Sequence, residues 1–465
     1  MTRGHQPDQE HEGISRRSFF RAGGAALAGG AALGVTPKEA SASPAAALFP
    51  RAGDRSAKVQ GFRTLGRTGW QVSDIAMGTN RLRESAVVRY ALDKGVNLID
   101  TAEGYQRGET ERVIGEALQH VDRSSVFIHD RMRIGDDDTE ETIVNRIRGS
   151  LDRLQTDYID AYGIHGPPTI EALSHPGYHA AIATLKAEGR VRHAALSYHG
   201  PRNDEQDSMA NVLAAAAEDG RFDVMLLVCN FLNRDESDRI LAACKANNVG
   251  TTAMKTAPGA LSFDAVDPDN LTEDQERMVQ RMMGRGGTRQ SALDRLQAQA
   301  DRQRDTYERT RPFVGRYGIE TQEQLRIASI HWVMQNTDMH ATCVSFTDFE
   351  FVDKVIPLSG TRLTPVEGQL LEELGAALND QYCRHGCFDC AGSCPAGVPV
   401  STIMRYSYYF EGQRNEKYAM QKYAELDTAD GSACEHCTAP CTGACPNNLD
   451  IQQQLLRAHS LLTLG

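Results

Sequence analysis

The chain has 465 residues, of which 40% are hydrophobic and 24% are charged, and these proportions are those of an ordinary globular protein. Its length allows two domains, or one large barrel with a smaller module. The formal net charge of −12 argues against a nucleic-acid-binding or anionic-membrane-binding surface, because both need a basic face. We therefore expect small-molecule or electron-transfer chemistry and no nucleic-acid partner.

The N-terminal residues 1–42 predict an export signal. A paired arginine precedes a weakly apolar Ala/Gly stretch that is too short to span a bilayer as a stable anchor. The pattern S-R-R-x-F-F, which resembles a twin-arginine signal, is formed by Ser15, Arg16, Arg17, Phe19 and Phe20. The alternative is a disordered basic tail.

The segment A-S-A at 40–42 predicts cleavage after Ala42, followed by a linker at 43–60. The mature protein is then expected outside the cytoplasm, in the periplasm or another extracytoplasmic space, without an integral membrane span. Twin-arginine signals imply export of proteins already folded around cofactors.

Eight short apolar runs alternate with helical patterns from residue 73 onward. The runs are 73–78, 97–102, 126–131, 159–166, 191–198, 223–230, 250–256 and 341–347. Eight β-then-α units predict a (β/α)8 TIM barrel over 61–358. A charged helical insertion at 262–320 follows the seventh run, where it would be a solvated face, or else a lid or docking surface.

Three stretches of the barrel resemble the aldo/keto reductases over roughly residues 62–350: FRTLGRTGWQVSDIAMGTNR, GVNLIDTAEGYQRGETERVIGEAL and RGSLDRLQTDYIDAYGIHG. The resemblance implies a small carbonyl or alcohol substrate and NADPH as hydride donor. It also implies catalytic roles for Asp100, Tyr105 and His165, which lie at or just beyond the carboxyl ends of predicted strands. The other histidines, among them His129 and His199, receive no role.

Two positions depart from the family pattern. Arg131 stands where the resemblance implies a lysine, and arginine keeps the charge but is not a compact point charge. A tyrosine needs a nearby cation to lower its pKa if it is to exchange protons near neutrality. Phe346 stands where a glycine is expected near the cofactor phosphate, and an exported protein would meet no NADPH pool.

Eight of the eleven cysteines lie in two groups, each ending in proline. The first group is Cys383, Cys387, Cys390 and Cys394; the second is Cys434, Cys437, Cys441 and Cys445. A shift of 51 residues superposes three cysteines of each group and the apolar positions after each proline, so the region is an internal repeat. Cys229, Cys244 and Cys343 stand alone in apolar runs and are predicted to be buried.

The repeat resembles a bacterial two-cluster ferredoxin, with a mostly helical and loop domain at 359–465 that holds two [4Fe-4S] clusters. In that pattern the cysteine before proline ligates the other cluster. One cluster would then take Cys383, Cys387, Cys390 and Cys445, and the other Cys434, Cys437, Cys441 and Cys394. Two zinc sites or four disulfides are the alternatives.

These predictions combine into an exported iron–sulfur oxidoreductase. An external electron carrier would exchange electrons through the clusters with a substrate at the barrel mouth. The alternative is a catalytically silent barrel that serves as an electron-transfer or scaffold subunit.

Overall fold

The computed structural model describes residues 55–201, 206–257, 266–271, 273–283, 288–317, 319, 322–411, 415–426 and 430–463. The chain divides into two units, Met1–Ala42 and Ser43–Gly465. The predicted signal peptide and its arginine pair therefore lie outside the described residues, as does most of the predicted linker.

Eight parallel strands close into a barrel, which confirms the predicted (β/α)8 fold. The strands are β3 (Ile75–Gly78), β4 (Leu98–Asp100), β5 (Phe127–Met132), β6 (Ile159–His165), β7 (Val191–Tyr198), β8 (Val224–Val228), β9 (Gly250–Met254) and β10 (Ala341–Ser345). Each strand pairs with the next, and β10 returns to β3 with Ser345 opposite Gly78. All eight lie within the predicted apolar runs or one residue beyond them, because strands covered on both faces are nearly continuous apolar segments.

A two-stranded hairpin, which the sequence did not predict, precedes the barrel. It consists of β1 (Phe62–Thr64) and β2 (Gln71–Ser73) in antiparallel pairing. Leu65 of its turn is fully buried in a cluster with inward-facing residues near the amino ends of the strands, including Leu98 and Phe127. The hairpin therefore closes the end of the barrel opposite the carboxyl ends of its strands.

Amphipathic helices surround the barrel. They are α1 (Ser85–Asp93), α2 (Glu109–Leu118), α3 (Glu140–Leu154), α4 (Pro176–Ala187), α5 (Met209–Asp219) and α6 (Arg234–Ala246). Side chains cap the amino ends of some of them: Thr139 accepts a hydrogen bond from the backbone of Thr142, and Ser208 accepts one from Asn211.

The charged insertion follows β9, as predicted, and forms two helices, α7 (Glu273–Met283) and α8 (Arg289–Tyr317). The barrel then resumes with α9 (Gln322–Met334), β10, and α10 (Phe349–Val355). Helix α11 (Pro365–Ala377) connects the barrel to the cysteine-rich region and packs against α8. Ion pairs join Arg316 to Glu373 at 2.7 Å and Arg309 to Asp380 at 2.9 Å.

The cysteine-rich region is built from short helices around a second hydrophobic core. Its helices are α12 (Val400–Glu411), α13 (Glu416–Ala424), α14 (Pro440–Gly443) and α15 (Ile451–Leu462). Helices α12 and α15 begin at positions related by the 51-residue repeat, have the same length, and pack against each other. In each half the apolar pair after the Cys-Pro step is buried, as Val398 and Val400 or as Leu449 and Ile451.

No helix within the described residues is long and apolar enough to cross a membrane.

Candidate functional site

The predicted catalytic residues meet at the carboxyl ends of three neighbouring strands. Asp100 ends β4, Arg131 lies near the end of β5, and His165 ends β6. Tyr105 opens the turn after β4, in which Gln106 and Arg107 both have positive φ angles, 48° and 59°. The left-handed backbone there is costly for residues other than glycine and gives the loop that carries Tyr105 an unusual conformation.

Arg131 forms hydrogen bonds with two of the other residues of this group, Asp100 and Tyr105. Its Nη1 donates to Asp100 Oδ2 at 2.5 Å and to the carbonyl of Thr101 at 2.9 Å, and its Nη2 donates to the Tyr105 hydroxyl at 2.7 Å. Nδ1 of His129 also lies 3.1 Å from Asp100 Oδ2. The arginine therefore occupies the place that the resemblance gave to a lysine, and it joins the carboxylate to the phenol.

The charges of this group follow from burial and from Arg131. Burial favours the neutral carboxyl group, but Arg131 and His129 outweigh it, so the pKa of Asp100 is lowered. Burial raises the pKa of Tyr105 to about 12, even though the Arg131 cation acts to lower it. The expected cation, Arg131, is present, but it does not bring the pKa of Tyr105 down toward neutral pH. Tyr105 is therefore protonated at neutral pH.

Two imidazoles continue the site beyond Tyr105. The ring of His165 stands edge to face with Tyr105, with 6.2 Å between centroids, and His199 lies 6.3 Å from His165. Burial and the surrounding cations hold the pKa of His199 well below its ordinary value, so this imidazole is neutral. His165 was predicted to belong here, whereas His199 was given no role.

A cavity of about 850 Å³ opens beside these rings. Residues from the carboxyl ends of β6 and β7, including His165, Tyr198 and His199, line it together with Arg405 of α12. The volume is that of a small-molecule site. The cysteine-rich region thus contributes a charged side chain to the wall of the barrel mouth.

Lys255 and two tyrosines form a second contact between the mouth and α12. Lys255 follows β9, and its Nζ lies 3.3 Å from the Tyr409 hydroxyl and over the rings of Tyr408 and Tyr409. The Tyr408 hydroxyl donates to the carbonyl of Ala257. Helix α12 therefore contacts the barrel mouth, in addition to the connection that α11 makes between the two regions.

Lys255 could have been found from the sequence, since it ends a predicted strand in the same way as Asp100 and His165. Arg405 could not, because its position at the mouth depends on how α12 packs against the barrel.

The thiols of the two cysteine groups come together across the repeat. Burial, and after it the thiols of Cys387, Cys390 and Cys445, raise the pKa of Cys383, so Cys445 lies close enough to Cys383 to influence it. Cys394, after burial, is the largest influence that raises the pKa of Cys434 to about 11. Each group therefore has beside it the proline-preceding cysteine of the other group.

All eleven cysteines lie within the described residues, and none is disulfide-bonded. In the same part of the chain no three His, Cys, Asp or Glu side chains converge closely enough to hold a single metal ion. Of the three isolated cysteines, Cys229 and Cys244 are buried as predicted, whereas Cys343 of β10 is half-buried.

Phe346 follows β10 and is fully buried against Phe351, with 6.2 Å between ring centroids. The next residues expose the carboxylate side chains of Asp348 and Glu350. Phe346 therefore occupies the position where the resemblance implies a phosphate-binding glycine, and the carboxylate of Glu350 nearby is paired with Lys354 at 2.6 Å.

The sequence model of the aldo/keto reductase family matches residues 65–373. The NADH-specific methylglyoxal reductase of Escherichia coli strain K12 is 23% identical over 304 residues, which cover 61% of this chain and 85% of that protein. The methylglyoxal reductase YeaE of the same strain is 34% identical over 135 residues, or 29% of this chain and 44% of that protein.

Among solved structures, an aldo-keto reductase from Klebsiella pneumoniae in complex with NADPH has a TM-score of 0.46 and 20% identity, over 71% of this chain and 100% of that chain. The matched family region spans well over half of the sequence and ends before the first cysteine group. The chain therefore belongs to the aldo/keto reductase family of oxidoreductases.

Proposed function

We propose that the barrel mouth interconverts a carbonyl group and an alcohol on a small molecule, with Tyr105 as the proton donor in the reductive direction. One observation carries this proposal: the Tyr105 hydroxyl is protonated and accepts a hydrogen bond from Arg131 Nη2 at 2.7 Å. The phenol thus has its proton available and a cation beside the oxygen that loses it.

The proton transfer follows from these contacts. Reduction of a carbonyl to an alcohol needs two electrons and two protons: the electrons would come one at a time from the external carrier through the proposed clusters, solvent would supply the proton that ends on carbon, and the carbonyl oxygen takes the Tyr105 proton. Since an alkoxide is a far stronger base than a phenolate, the transfer is favourable despite the raised pKa of Tyr105. Arg131 stabilises the phenolate that remains, Asp100 holds Arg131, and solvent returns the proton.

His165 positions the substrate in this proposal. Its ring stands at the edge of Tyr105 and lines the cavity, so a carbonyl oxygen near the Tyr105 hydroxyl also lies near the imidazole. An N–H of the His165 ring would donate a hydrogen bond to the carbonyl oxygen. This bond would orient the carbonyl group and stabilise the negative charge that develops on its oxygen.

NADPH fits the loop after β10 poorly. Phe346 replaces the glycine that would let the backbone come close to a phosphate, and Asp348 adds an exposed carboxylate beside it. We therefore assign no step of the reaction to a nicotinamide.

We propose further that the cysteine groups hold two [4Fe-4S] clusters, the first with Cys383, Cys387, Cys390 and Cys445 and the second with Cys434, Cys437, Cys441 and Cys394. The influence of Cys445 on Cys383, and of Cys394 on Cys434, supports this crossed pairing. Such clusters supply one-electron transfer with an external carrier when they are bound. The eight thiols are free of disulfides, and so remain available as ligands.

We also propose that the protein is exported from the cytoplasm. The S-R-R-x-F-F pattern with Arg16 and Arg17 supports a twin-arginine signal that ends at Ala42. Fractionation of the source cell, with N-terminal sequencing of the mature chain, tests this directly. Retention of an uncleaved wild-type chain in the cytoplasm would contradict it.

Replacing Tyr105 by phenylalanine tests the chemistry at the mouth. With reduced methyl viologen as electron donor and a panel of aldehydes and ketones, we expect Tyr105→Phe to lower turnover at least ~100-fold, because a general acid contributes about that much. Tyr158→Phe is the matched control, since Tyr158 precedes β6 at the opposite end of the barrel. Equal turnover in wild type and Tyr105→Phe would remove Tyr105 from the reaction.

Paired cysteine substitutions test the clusters and their crossed ligands. Anaerobically purified wild type is expected to hold about eight iron atoms per chain. Cys394→Ser with Cys434→Ser removes two ligands of one proposed cluster and should halve the iron, whereas Cys394→Ser with Cys383→Ser should remove nearly all of it. The reverse pattern would show that each group holds its own cluster, and stoichiometric zinc without iron would show a zinc protein.

A further inference from the structure

Two neighbouring strands of the barrel lead into the same tripeptide, His-Gly-Pro. Residues 165–167 form it at the end of β6, and residues 199–201 form it directly after β7. Both glycines have positive φ angles, 78° for Gly166 and 95° for Gly200, so the chain turns sharply after each histidine. The two turns therefore present their imidazoles in the same way, although only His165 was predicted to act at the site.

The pleat of the two strands directs both histidines toward the inside of the barrel mouth. Ala161 of β6 and Ala195 of β7 belong to the cluster of inward-facing residues. Side chains alternate between the two faces of a strand, so the inward-facing positions that follow include His165 and His199. Because His165 lies opposite Ser197, His199 is one inward-facing position further toward the opening of the mouth.

Ring contacts lead from Tyr105 to His199 by way of His165. Tyr105 and His165 are 6.2 Å apart between centroids, and His165 and His199 are 6.3 Å apart with 30° between their planes. His165 and His199 both line the cavity of about 850 Å³. A substrate whose carbonyl group lies at Tyr105 and His165 therefore has His199 close to its neighbouring atoms.

The ring of His199 offers a ligand its Nε2 atom. The residue is half-buried, and its Nδ1 is buried with no hydrogen-bond partner among the residues that the structure describes. Burial holds the pKa of His199 well below its ordinary value, so the ring is neutral, with one N–H and one lone pair. Since no such partner at Nδ1 fixes the tautomer, Nε2 is able to donate or to accept a hydrogen bond. A hydroxyl group, which also donates and accepts, matches this nitrogen in either tautomer.

The cysteine-rich region holds the backbone of the turn that carries His199. Arg405 Nη2 donates to the carbonyl of Gly200 at 3.3 Å and to that of Pro201 at 3.1 Å. A Cβ atom on Gly200 would lie 2.1 Å from the Cα of Gly386, so the two chains touch backbone to backbone. These contacts fix the position of His199, as recognition of a single ligand group requires.

We propose that His199 is a specificity-determining residue, which hydrogen-bonds a hydroxyl group that the carbonyl substrate carries near its reacting carbon. The proposal rests on the proposed function, because it adds a second contact to the carbonyl group that Tyr105 and His165 bind. The preferred substrates are then hydroxylated aldehydes or ketones, and simple aldehydes and ketones lack one of the contacts.

Binding of two matched pairs of ketones tests this role. Hydroxyacetone differs from 2-butanone by a hydroxyl group in place of a methyl group, and 4-hydroxy-2-butanone differs from 2-pentanone in the same way. Without an electron donor the holoprotein does not reduce these ketones, so titration followed by ligand NMR measures binding alone. His199→Leu should weaken binding of at least one hydroxyketone roughly three- to tenfold, as for loss of one hydrogen bond, and leave its matched ketone unchanged.

His193→Leu is the matched control, since His193 lies near the amino end of the same strand and pairs with Asp223. His199→Gln should retain most of the affinity for the hydroxyketone, because an amide also donates and accepts. If His199→Leu misfolds by circular dichroism, His199→Phe, which keeps a planar ring beside His165, replaces it with the same expectation. Equal weakening of a hydroxyketone and its matched ketone, unchanged affinity for all four, or no binding to wild type would overturn the proposal.

Binding and turnover fail separately in this design. Hydroxyketone binding that depends on His199, together with equal turnover in wild type and Tyr105→Phe, would keep the role of His199 and remove the proposed role of Tyr105. Loss of turnover in Tyr105→Phe, with hydroxyketone binding unaffected by His199→Leu, would do the opposite.

Discussion

The barrel and the cysteine-rich region are stabilised in different ways. The barrel core extends from Val59 to Leu358 and consists almost entirely of aliphatic and aromatic side chains. The core of the C-terminal region is much smaller, and it includes Cys434 and Cys441, with four more cysteines packed against it. If the cysteines hold clusters as proposed, metal binding would contribute much of the stability of this region. We therefore expect substitutions of the same kind to change the stability of the two regions very differently.

The largest effect should come from removing the cysteines that we propose as cluster ligands. Cys383→Ser with Cys434→Ser is expected to unfold the C-terminal region, a loss on the order of several kcal/mol, while the barrel stays folded. Limited proteolysis followed by mass spectrometry should show cuts after residue 378 and a protected barrel fragment. Cys244→Ala, a buried cysteine of α6, is the control and should leave the C-terminal region protected. Simultaneous loss of both regions would mean that the barrel depends on the C-terminal region.

A smaller loss of stability is expected when the ion pair between helices α12 and α15 is removed. Arg457 of α15 bonds to Glu411 of α12, and their side chains are only 18% and 10% exposed. Arg457→Met leaves Glu411 without its partner in a poorly hydrated place, and should destabilise this region by about 2–3 kcal/mol. Hydrogen exchange should rise in α15 and stay unchanged in β7. Adding Glu411→Gln should recover much of the loss, and failure to recover would show that packing of Arg457 matters more than charge.

The barrel contains its own unfavourable charge, in the buried carboxyl groups of Asp130 on β5 and Glu111 on α2. Asp130 Oδ2 and Glu111 Oε1 are both buried without a hydrogen-bond donor among the described residues. Burial and Glu111 raise the pKa of Asp130 well above its ordinary value. Glu111 also accepts a hydrogen bond from Arg153 at 2.5 Å, so Asp130 is the group that holds a proton in the folded chain and would release it in the unfolded chain.

Asp130→Asn should stabilise the protein by roughly 1 kcal/mol at neutral pH. Because the folded pKa of Asp130 is raised, the wild type loses stability as pH increases from about 4 toward that pKa, whereas asparagine does not ionise. Thermal unfolding from pH 4 to 8 should show an advantage of the variant that grows with pH. Asp160→Asn, which removes a carboxylate paired to Arg123 and Arg192, should destabilise instead. A pH-independent difference for Asp130→Asn would contradict the raised pKa of Asp130.

The sequence predicted the elements whose signals are local. Each of the eight barrel strands is a short apolar run, so their positions were found almost to the residue. Asp100, Tyr105 and His165 were predicted from local motifs that resemble the aldo/keto reductases, and they fall at or just beyond strand ends. The hairpin before β3 was missed because each of its strands is only three residues long. The raised pKa of Tyr105 was also missed, since burial, which outweighs the Arg131 cation, depends on the whole fold.

The relation between the two regions was the least predictable part. The 51-residue shift revealed the repeat, because identical spacing is visible in sequence. The contacts of Arg405, Tyr408 and Tyr409 with the barrel mouth were not visible, since a helix of tyrosines has the same pattern whether it packs against its own domain or another. Long-range packing decides such contacts, and no local pattern encodes it.

The smallest loss of stability is expected where helix α8 of the charged insertion meets α11 and the residues that follow it. Arg309 and Asp380 form an ion pair at 2.9 Å, but their side chains are 39% and 41% exposed, so solvent screens the attraction. Arg309→Ala should cost no more than about 0.5 kcal/mol, and 0.5 M salt should remove even that difference in thermal unfolding. The apolar cluster that joins Tyr317 to Leu370 and Leu374 of α11 holds these elements together instead. A salt-sensitive loss of about 2 kcal/mol in the free energy of unfolding would show that charge, rather than apolar burial, holds the insertion against α11.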